Sequence, residues 1–306
     1  MNPSLPGRGD GSFALRYGCH LSLRGGYSHA ARDAVRLQEA FGLGCYQYFS
    51  KNPRGLSVKL GYEDEAEAAR EVCERHGIQT VVHTPYPTNL AVDAEQAPDR
   101  FQATVQSLLN DLMIAEACGS IGVVVHFGIF KGKTGGEQLL LRTYGNIIRT
   151  IDTVLAVWNG RALLLLENQA GSHGGLGVTL EELIQIRQLS RYSDKIGYCF
   201  DTCHAFASGL WDPYKTEELI AKGHELGYWR HMQVIHLNDS REVYASRQDR
   251  HANLGDGHIG IEELARLAMA EGIRGKPLIL ETPGSGQYGH VPEWNRLKQA
   301  VRAENK

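Results

Sequence analysis

The composition of this 306-residue chain already excludes several classes of protein. Hydrophobic residues make up 42% of it and charged residues 22%, which is typical of a globular domain with a sizeable core. The formal net charge of −3 does not favour a general nucleic-acid binder, although a local basic patch would not show in that total. No apolar run approaches the ~20 residues of a membrane span and no signal peptide is recognisable, so we expect a cytoplasmic protein.

Pro, Gly and Ser are frequent in residues 1–14, which predicts a flexible N-terminal extension. We predict one domain over residues 15–306, where short apolar runs alternate with segments of helical spacing. The runs predicted as buried strands are YGCHLSL, LGCYQYF, IQTVVH, IGVVVHF, ALLLLEN, IGYCFD, MQVIHL and KPLILET. The predicted helices span 27–41, 61–76, 97–118, 137–157, 179–190, 214–226, 260–271 and 291–303.

This alternation favours a parallel sheet covered by helices. Eight strand–helix units in one domain predict a single (β/α)₈ TIM barrel of the α/β class. A doubly wound open sheet is the structural alternative. It has no support from a nucleotide-binding motif, because neither a G-x-G-x-x-G after the first strand nor a Walker A sequence occurs.

Six ionisable residues lie at or just past the ends of consecutive predicted strands. They are His83, His126, Glu167, Asp201, His236 and Glu281. The carboxyl ends of all strands in a barrel meet at one mouth, so these side chains are expected to converge. Such groups are costly at the end of an apolar strand unless they are paired or bind a metal. Three imidazoles and three carboxylates suit Zn²⁺, Mn²⁺ or Fe²⁺.

A second group of candidate ligands lies close to the first in sequence. His204 follows Asp201 by three positions, and Asp249 and His251 form a D-x-H pair after the seventh strand. In an extended loop this spacing places both side chains of the pair on one side. More than one metal is therefore predicted, and closely spaced divalent metals suit the hydrolysis of phosphoesters.

Seven stretches of the chain match a known family. They are YFSKNPR, HTPYPTNLA, VVHFG, LLLENQAGSHGGLG, CFDTCHAFASG, IHLNDSREVYASRQDRHANLGDGHIG and LILET. Through them the chain resembles the endonuclease IV family of apurinic/apyrimidinic endonucleases. The resemblance implies a TIM barrel that hydrolyses the phosphodiester 5′ to an abasic site in double-stranded DNA. The expected products are a 3′-hydroxyl and a 5′-deoxyribose phosphate, and a monomer is the expected form.

The resemblance also implies three zinc ions per chain, with Mn²⁺ or Fe²⁺ as alternatives at some sites. The first would be held by His83, His126 and Glu167, and Glu167 would also bridge to the second. Asp201, His236 and Glu281 would complete the second site, and His204, Asp249 and His251 would form the third. Glu281 and Glu167 would be the catalytic residues that handle protons.

The candidate DNA contacts follow the family less closely. Arg54 and Tyr86 match residues that enter the minor groove, but Gly55 stands where well-studied members carry glutamine, and Pro87 stands where a leucine often follows the tyrosine. Lys51, Arg54, Arg247 and Arg250 are either solvated rim charges or phosphate contacts, with Arg250 favoured after Arg54.

The stretch CFDTCHA poses the question of whether its cysteines are ligands. Strand alternation places Cys199 on the barrel-facing side, below Asp201, as a small packing residue. Cys203 matches no ligand position of the family. Asp201 and His204 are therefore predicted to carry the chemistry, on different metals.

Two alternative functions fit parts of this pattern. A xylose-isomerase-like sugar isomerase or epimerase shares the barrel and the strand-end ligands, but needs only one or two metals and gives His204, Asp249 and His251 no role. A non-catalytic DNA- or metal-binding barrel is the other alternative. All nine ligand positions carry the expected type of residue, which argues against the non-catalytic alternative.

Overall fold

A computed structural model of the chain describes residues 15–128, 136–172, 174–284 and 289–304. The predicted N-terminal extension at 1–14 lies outside these ranges. No helix within them is both long enough and apolar enough to cross a membrane.

Eight parallel strands close into a barrel, in the spatial order β1-β10-β7-β6-β5-β4-β3-β2. Their bounds are β1 Arg16–His20, β2 Cys45–Phe49, β3 Gln79–His83, β4 Gly122–Val125, β5 Leu163–Glu167, β6 Ile196–Asp201, β7 Met232–His236 and β10 Pro277–Leu280. Two short strands, β8 Asp239–Ser240 and β9 His251–Ala252, form a separate antiparallel pair after β7. The predicted TIM barrel is confirmed.

The helices cover the outside of the barrel. Their bounds are α1 Tyr27–Phe41, α2 Glu63–His76, α3 Pro98–Ala117, α4 Gly136–Val157, α5 Leu180–Leu189, α6 Thr202–Ser208, α7 Thr216–Glu225, α8 Tyr228–His231, α9 Ile261–Met269 and α10 Val291–Glu304. Each of the eight predicted helices is present, with both ends within two residues of its prediction. The short helices α6 and α8 were not predicted.

The strands are staggered as they pass around the barrel. Gln47 pairs with Val81, two residues before His83, so β3 is shifted by two residues relative to β2. The same two-residue shift recurs at the β3/β4, β5/β6 and β7/β10 junctions. Four such steps produce the stagger of about eight residues that closes a (β/α)₈ barrel.

An apolar row of side chains fills the barrel axis. Its members are Cys45, Val81, Val124, Leu165, Cys199, Val234 and Ile279, one from each strand except β1. At this level β1 supplies Gly18, where an added Cβ would lie 1.7 Å from the carbonyl oxygen of Cys45. Only glycine allows β1 and β2 to approach so closely. The row closes the barrel beneath the mouth and forms the floor of the site.

Candidate metal centre

A polar row lies directly above the apolar row, because alternate side chains of a strand point the same way. Moving two residues along each strand from Gly18 and the apolar row gives His20, Gln47, His83, His126, Glu167, Asp201, His236 and Glu281. Six of these eight positions are the predicted strand-end ligands. The strand period of two therefore brings them together at the carboxyl end of the barrel.

The first ligand group contains His83, His126 and Glu167, whose candidate ligand atoms all lie within 4.8 Å of one another. Glu167 Oε2 lies 3.0 Å from His126 Nε2 and 3.6 Å from His83 Nε2. The two imidazole nitrogens are 3.2 Å apart. The structure thus places this predicted set around one point.

The second ligand group contains Glu167, Asp201, His236 and Glu281, again with ligand atoms within 4.8 Å of one another. His236 Nδ1 lies 3.0 Å from Glu167 Oε1, 3.1 Å from Glu281 Oε2 and 3.9 Å from Asp201 Oδ2. Glu167 belongs to both groups and presents one oxygen to each, which is the geometry of a bridging carboxylate.

The third ligand group contains His204, Asp249 and His251. Asp249 lies 3.2 Å from His204 Nε2 through one oxygen and 3.2 Å from His251 Nε2 through the other. Asp201 caps α6 by accepting a 2.6 Å hydrogen bond from the His204 backbone N–H, which fixes His204 one turn beyond β6. The β8–β9 pair, with Ser240 opposite His251, carries the other two ligands back over the mouth.

Two buried polar atoms in these groups lack a hydrogen-bond partner among the described residues: Glu167 Oε2 and His251 Nε2. Neighbouring ligand atoms are only 3.0–3.2 Å away, but their geometry is not that of hydrogen bonds. Unpaired buried polar atoms are costly and rare in folded proteins. Atoms that converge without bonding one another fit a bound cation, so the residues present suit the metal ions that the family implies.

The outer nitrogens of two histidines support the same interpretation. His83 Nδ1 lies 2.8 Å from the carbonyl oxygen of Thr84, and His204 Nδ1 lies 2.9 Å from that of Asn168. A carbonyl only accepts, so each Nδ1 carries a proton, and in the neutral form that would bind metal each Nε2 has the lone pair.

The acidic and basic groups of the centre shift one another's pKa values. Burial lowers the pKa of His236 and His204, but the surrounding carboxylates outweigh it and hold both well above 6.5. In the opposite sense, the histidines hold the pKa of Glu167 well below its usual value despite burial. The cluster therefore favours the binding of positive charge, which can come from protons or from divalent metal ions. His20 differs, because burial lowers its pKa to about 4 and keeps it neutral.

The cysteines of CFDTCHA lie close to the centre. Cys199 Sγ is within 4.8 Å of the ligand atoms of Glu167 and His236, and Cys203 stands in the same relation to Asp201 and His251. Burial raises the pKa of both thiols to about 12, so they remain protonated and are poor ligands beside complete nitrogen and oxygen sets. Cys199 belongs to the apolar row, as strand alternation predicts.

Three buried amides support the centre and were not predicted. Asn168 binds the backbone N–H and carbonyl of Asp201, and Asn238 donates to Asp201 Oδ2 at 2.7 Å and accepts from the Glu281 N–H. Gln47 on β2 contacts both His236 and Glu281. Each follows or interrupts an apolar strand, and the two-residue offset of the polar row would have identified Gln47.

The predicted DNA contacts surround the mouth and are exposed. Tyr86 is 73% exposed, its ring packs against Phe49 with centroids 5.1 Å apart, and its backbone N–H donates to Pro53 O. Arg54 is exposed beside it, and Arg250 lines a cavity of about 740 Å³ together with Tyr86 and several ligands. The three residues thus lie on the exposed rim of the mouth, around the centre.

The interpretation of Lys51 as a rim charge or phosphate contact is wrong. Its side chain is only 3% exposed, and its ammonium lies 2.7 Å from Asp111 Oδ1 on α3 and donates to Ser107 O. Because the Lys51 ammonium is paired with a buried carboxylate, Lys51 anchors the start of the loop that carries Arg54. Arg247 remains exposed, with a left-handed backbone at φ 57°.

Comparison with known proteins supports the interpretation of these residues as a candidate metal centre. The family model described as "Xylose isomerase-like TIM barrel" matches residues 35–303. This chain is 38% identical to the probable endonuclease 4 of Symbiobacterium thermophilum, over 91% of this chain and 97% of the relative. It is 32% identical to the probable endonuclease 4 of Streptomyces coelicolor, over 92% and 94% respectively.

Among solved structures, endonuclease IV from Thermus thermophilus matches with a TM-score of 0.79 at 30% identity, over 94% of this chain and 99% of that one. A D-tagatose 3-epimerase-like protein matches with a TM-score of 0.70 at 20% identity, over 95% and 98%, which shows the shared fold alone. Fold and site thus define a xylose-isomerase-like TIM barrel with clustered metal ligands. Within that class, the chain belongs to the endonuclease IV family.

Proposed function

We propose that this protein is a zinc-dependent endonuclease that hydrolyses the phosphodiester bond 5′ to an abasic site in double-stranded DNA. The products would be a 3′-hydroxyl and a 5′-deoxyribose phosphate. The observation that carries the proposal is the third ligand group, His204, Asp249 and His251, adjoining the two groups that share Glu167. The membership of the chain in the endonuclease IV family supports the same activity.

The nine ligand residues would hold three Zn²⁺ ions, in the three groups described, although Mn²⁺ or Fe²⁺ also suits nitrogen and oxygen donors. When bound, the metals supply an activated water and neutralise negative charge on the reacting phosphate. No Ser or Cys nucleophile is then needed, which agrees with the two protonated cysteines beside the centre.

Glu281 is the better placed of the two proposed catalytic carboxylates to accept a proton from the attacking water. Its side chain is 18% exposed at the mouth, whereas Glu167 is fully buried. Glu281 Oε1 accepts a hydrogen bond from Gln47, which holds the carboxylate in one orientation. Glu167, enclosed between two ligand groups, is suited to bridging metals rather than to exchanging protons with substrate.

The exposed residues of the mouth would bind the duplex. Arg54 and Arg250 offer guanidinium groups to phosphates, and Tyr86 offers an exposed ring above the centre. Gly55 has no side chain with which to fill the space of an extruded nucleotide, so we propose weaker insertion than a glutamine would give. A cytoplasmic monomer remains a prediction, which cell fractionation and analytical sedimentation would test.

The experiment is incision of a duplex that contains one abasic site, labelled on either side of the lesion. We expect zinc-loaded protein to cut once, 5′ to the site, and to leave an end that a DNA polymerase can extend. A ketose epimerisation assay runs in parallel, because the family model also covers xylose-isomerase-like barrels. Intact DNA together with turnover of a ketose by fully metal-loaded protein would overturn the proposal.

A further inference from the structure

We infer that Gln47 is a positioning residue that selects which atoms of His236 and Glu281 bind metal. The inference rests on the proposed metal centre and adds to it a residue outside the ligand set. Gln47 occupies the polar-row position of β2, the position that six other strands give to a predicted ligand. Its side chain is fully buried.

The contacts of Gln47 connect ligands from two distant strands. Its Nε2 donates to Glu281 Oε1 at 2.6 Å, and its Oε1 lies 2.8 Å from His236 Nε2. A second contact of Nε2, at 3.3 Å, reaches Nδ1 of His20. The Gln47 amide on β2 thus contacts the polar-row residues of β1, β7 and β10.

The orientation of the amide follows from chemistry. An ionised carboxylate only accepts hydrogen bonds, so the NH₂ group of Gln47 must face Glu281 and its oxygen must face His236. An amide oxygen also only accepts, so His236 Nε2 must carry the ring proton. In the neutral form that would bind metal, the lone pair of the ring is then on Nδ1, which lies 3.0 Å from Glu167 Oε1 and 3.1 Å from Glu281 Oε2.

His236 is therefore set to bind metal through Nδ1, whereas His83 and His204 bind through Nε2, because their Nδ1 atoms face carbonyl oxygens. In the same way, Gln47 occupies Oε1 of Glu281 and leaves Oε2 for the metal. The hydrogen-bond partner of a ligand commonly changes metal affinity by about 10- to 100-fold. We expect an effect of that size, confined to the second ligand group.

The first test measures the zinc affinity of the Gln47→Leu variant. The measured quantity is the zinc that the protein retains in competition with a series of chelators. Leucine is apolar and close to glutamine in size, so it removes the hydrogen bonds to His236 and Glu281 with little change in volume. We expect one of three zinc ions to be held about 10- to 100-fold more weakly. Gln233→Leu is the matched control, since Gln233 lies at the amino end of β7 and donates to His231 O. Three zinc ions held with unchanged affinity in Gln47→Leu would overturn the inference.

A spectroscopic test on the unmodified protein does not depend on the folding of any variant. Nitrogen-15 labelling of histidine in the zinc-loaded protein reports which ring nitrogen carries a proton. We expect His236 to carry it on Nε2, and His83 and His204 on Nδ1. A proton on Nδ1 of His236 would overturn the inference, whatever the DNA assay shows.

Gln47→Glu separates the two contacts. The new carboxylate keeps an acceptor for His236 but loses the donor to Glu281 and places negative charge beside it. We expect the Nε2 proton of His236 to persist while zinc affinity at the second group falls. Failure of DNA incision with normal zinc binding and the expected ring protons would instead count against the proposed function alone.

Discussion

The candidate metal centre and the rim that carries the proposed DNA contacts lie at the same end of the barrel but are built differently. The first two ligand groups stand at strand ends, where a polar row of fixed direction places them. The third group is different, since His204 lies on α6 and Asp249 and His251 follow β7.

The rim uses exposed side chains on loops, among them Arg54 and Arg250. The barrel itself therefore fixes the first two ligand groups, whereas the proposed recognition of DNA depends on loops. The loops that carry Arg54 and Tyr86 supply no member of the three ligand groups, but Arg250 lies between two ligands of the third group.

The largest expected effect separates the two regions most clearly. Glu281→Gln should reduce incision on the order of 10³-fold, because it removes a metal ligand and the proposed proton acceptor. DNA binding should remain within a few-fold, since the rim is untouched. Single-turnover incision and a binding assay on the same duplex measure both, with Glu225→Gln on exposed α7 as the control. Retained turnover would show that Glu281 is wrongly assigned.

A buried ion pair ties the rim to the barrel. Lys51→Met leaves Asp111 buried without its cation, which should lower the free energy of unfolding by about 3–5 kcal/mol. Arg296→Met is the control, because its partner Asp256 is 2.6 Å away but both side chains are well exposed. Its cost should be about 0–1 kcal/mol. Equal losses in the two variants, measured by urea unfolding, would contradict the assignment of Lys51 as an anchor.

Loss of a rim charge should weaken binding and leave chemistry unchanged. Arg250→Ala is expected to raise KM roughly tenfold with little change in kcat, because it removes one charged hydrogen bond to phosphate. The slope of log affinity against log salt should fall by about 1. Arg75→Ala, at the end of α2 remote from the mouth, should change neither quantity. A drop in kcat alone would place Arg250 in the centre rather than the rim.

The smallest expected effect is a gain in affinity for DNA. A Cβ at Gly55 would meet no atom within 4 Å, and the backbone there is outside the left-handed region, so Gly55→Gln should fold normally. We expect binding of abasic duplex to tighten about fivefold, from roughly 1 kcal/mol of added contact. Gly145→Gln, at an exposed position of α4, controls for general effects. Unchanged or weaker binding would mean that the side chain at 55 does not enter the DNA.

The sequence predicts the parts of this molecule that depend on local period. Helix spacing locates all eight outer helices, and the strand period of two explains why six ligands separated by about 40 residues converge. The partner of Lys51 could not be predicted in this way. Asp111 lies on α3, and only the packing of that helix against the β2 loop brings the two together.

The amides around the centre show a second limit of sequence reasoning. Gln47 interrupts an otherwise apolar strand, but its partners His236 and Glu281 come from strands that are not its neighbours in the barrel. The stagger of the strands decides which side chains meet, and single-strand patterns do not encode it. The short β8–β9 pair was missed for a related reason, since two-residue strands carry too little pattern to detect.

The most direct test of the account is a zinc titration of the metal-free protein, followed by incision of a duplex with a single abasic site. We predict no cutting before metal is added, and cutting 5′ to the site that rises until about three zinc ions are bound per chain. A chelator should abolish the activity, and added zinc should restore it. Incision by the metal-free protein, or none by protein with all three sites filled, would contradict the account.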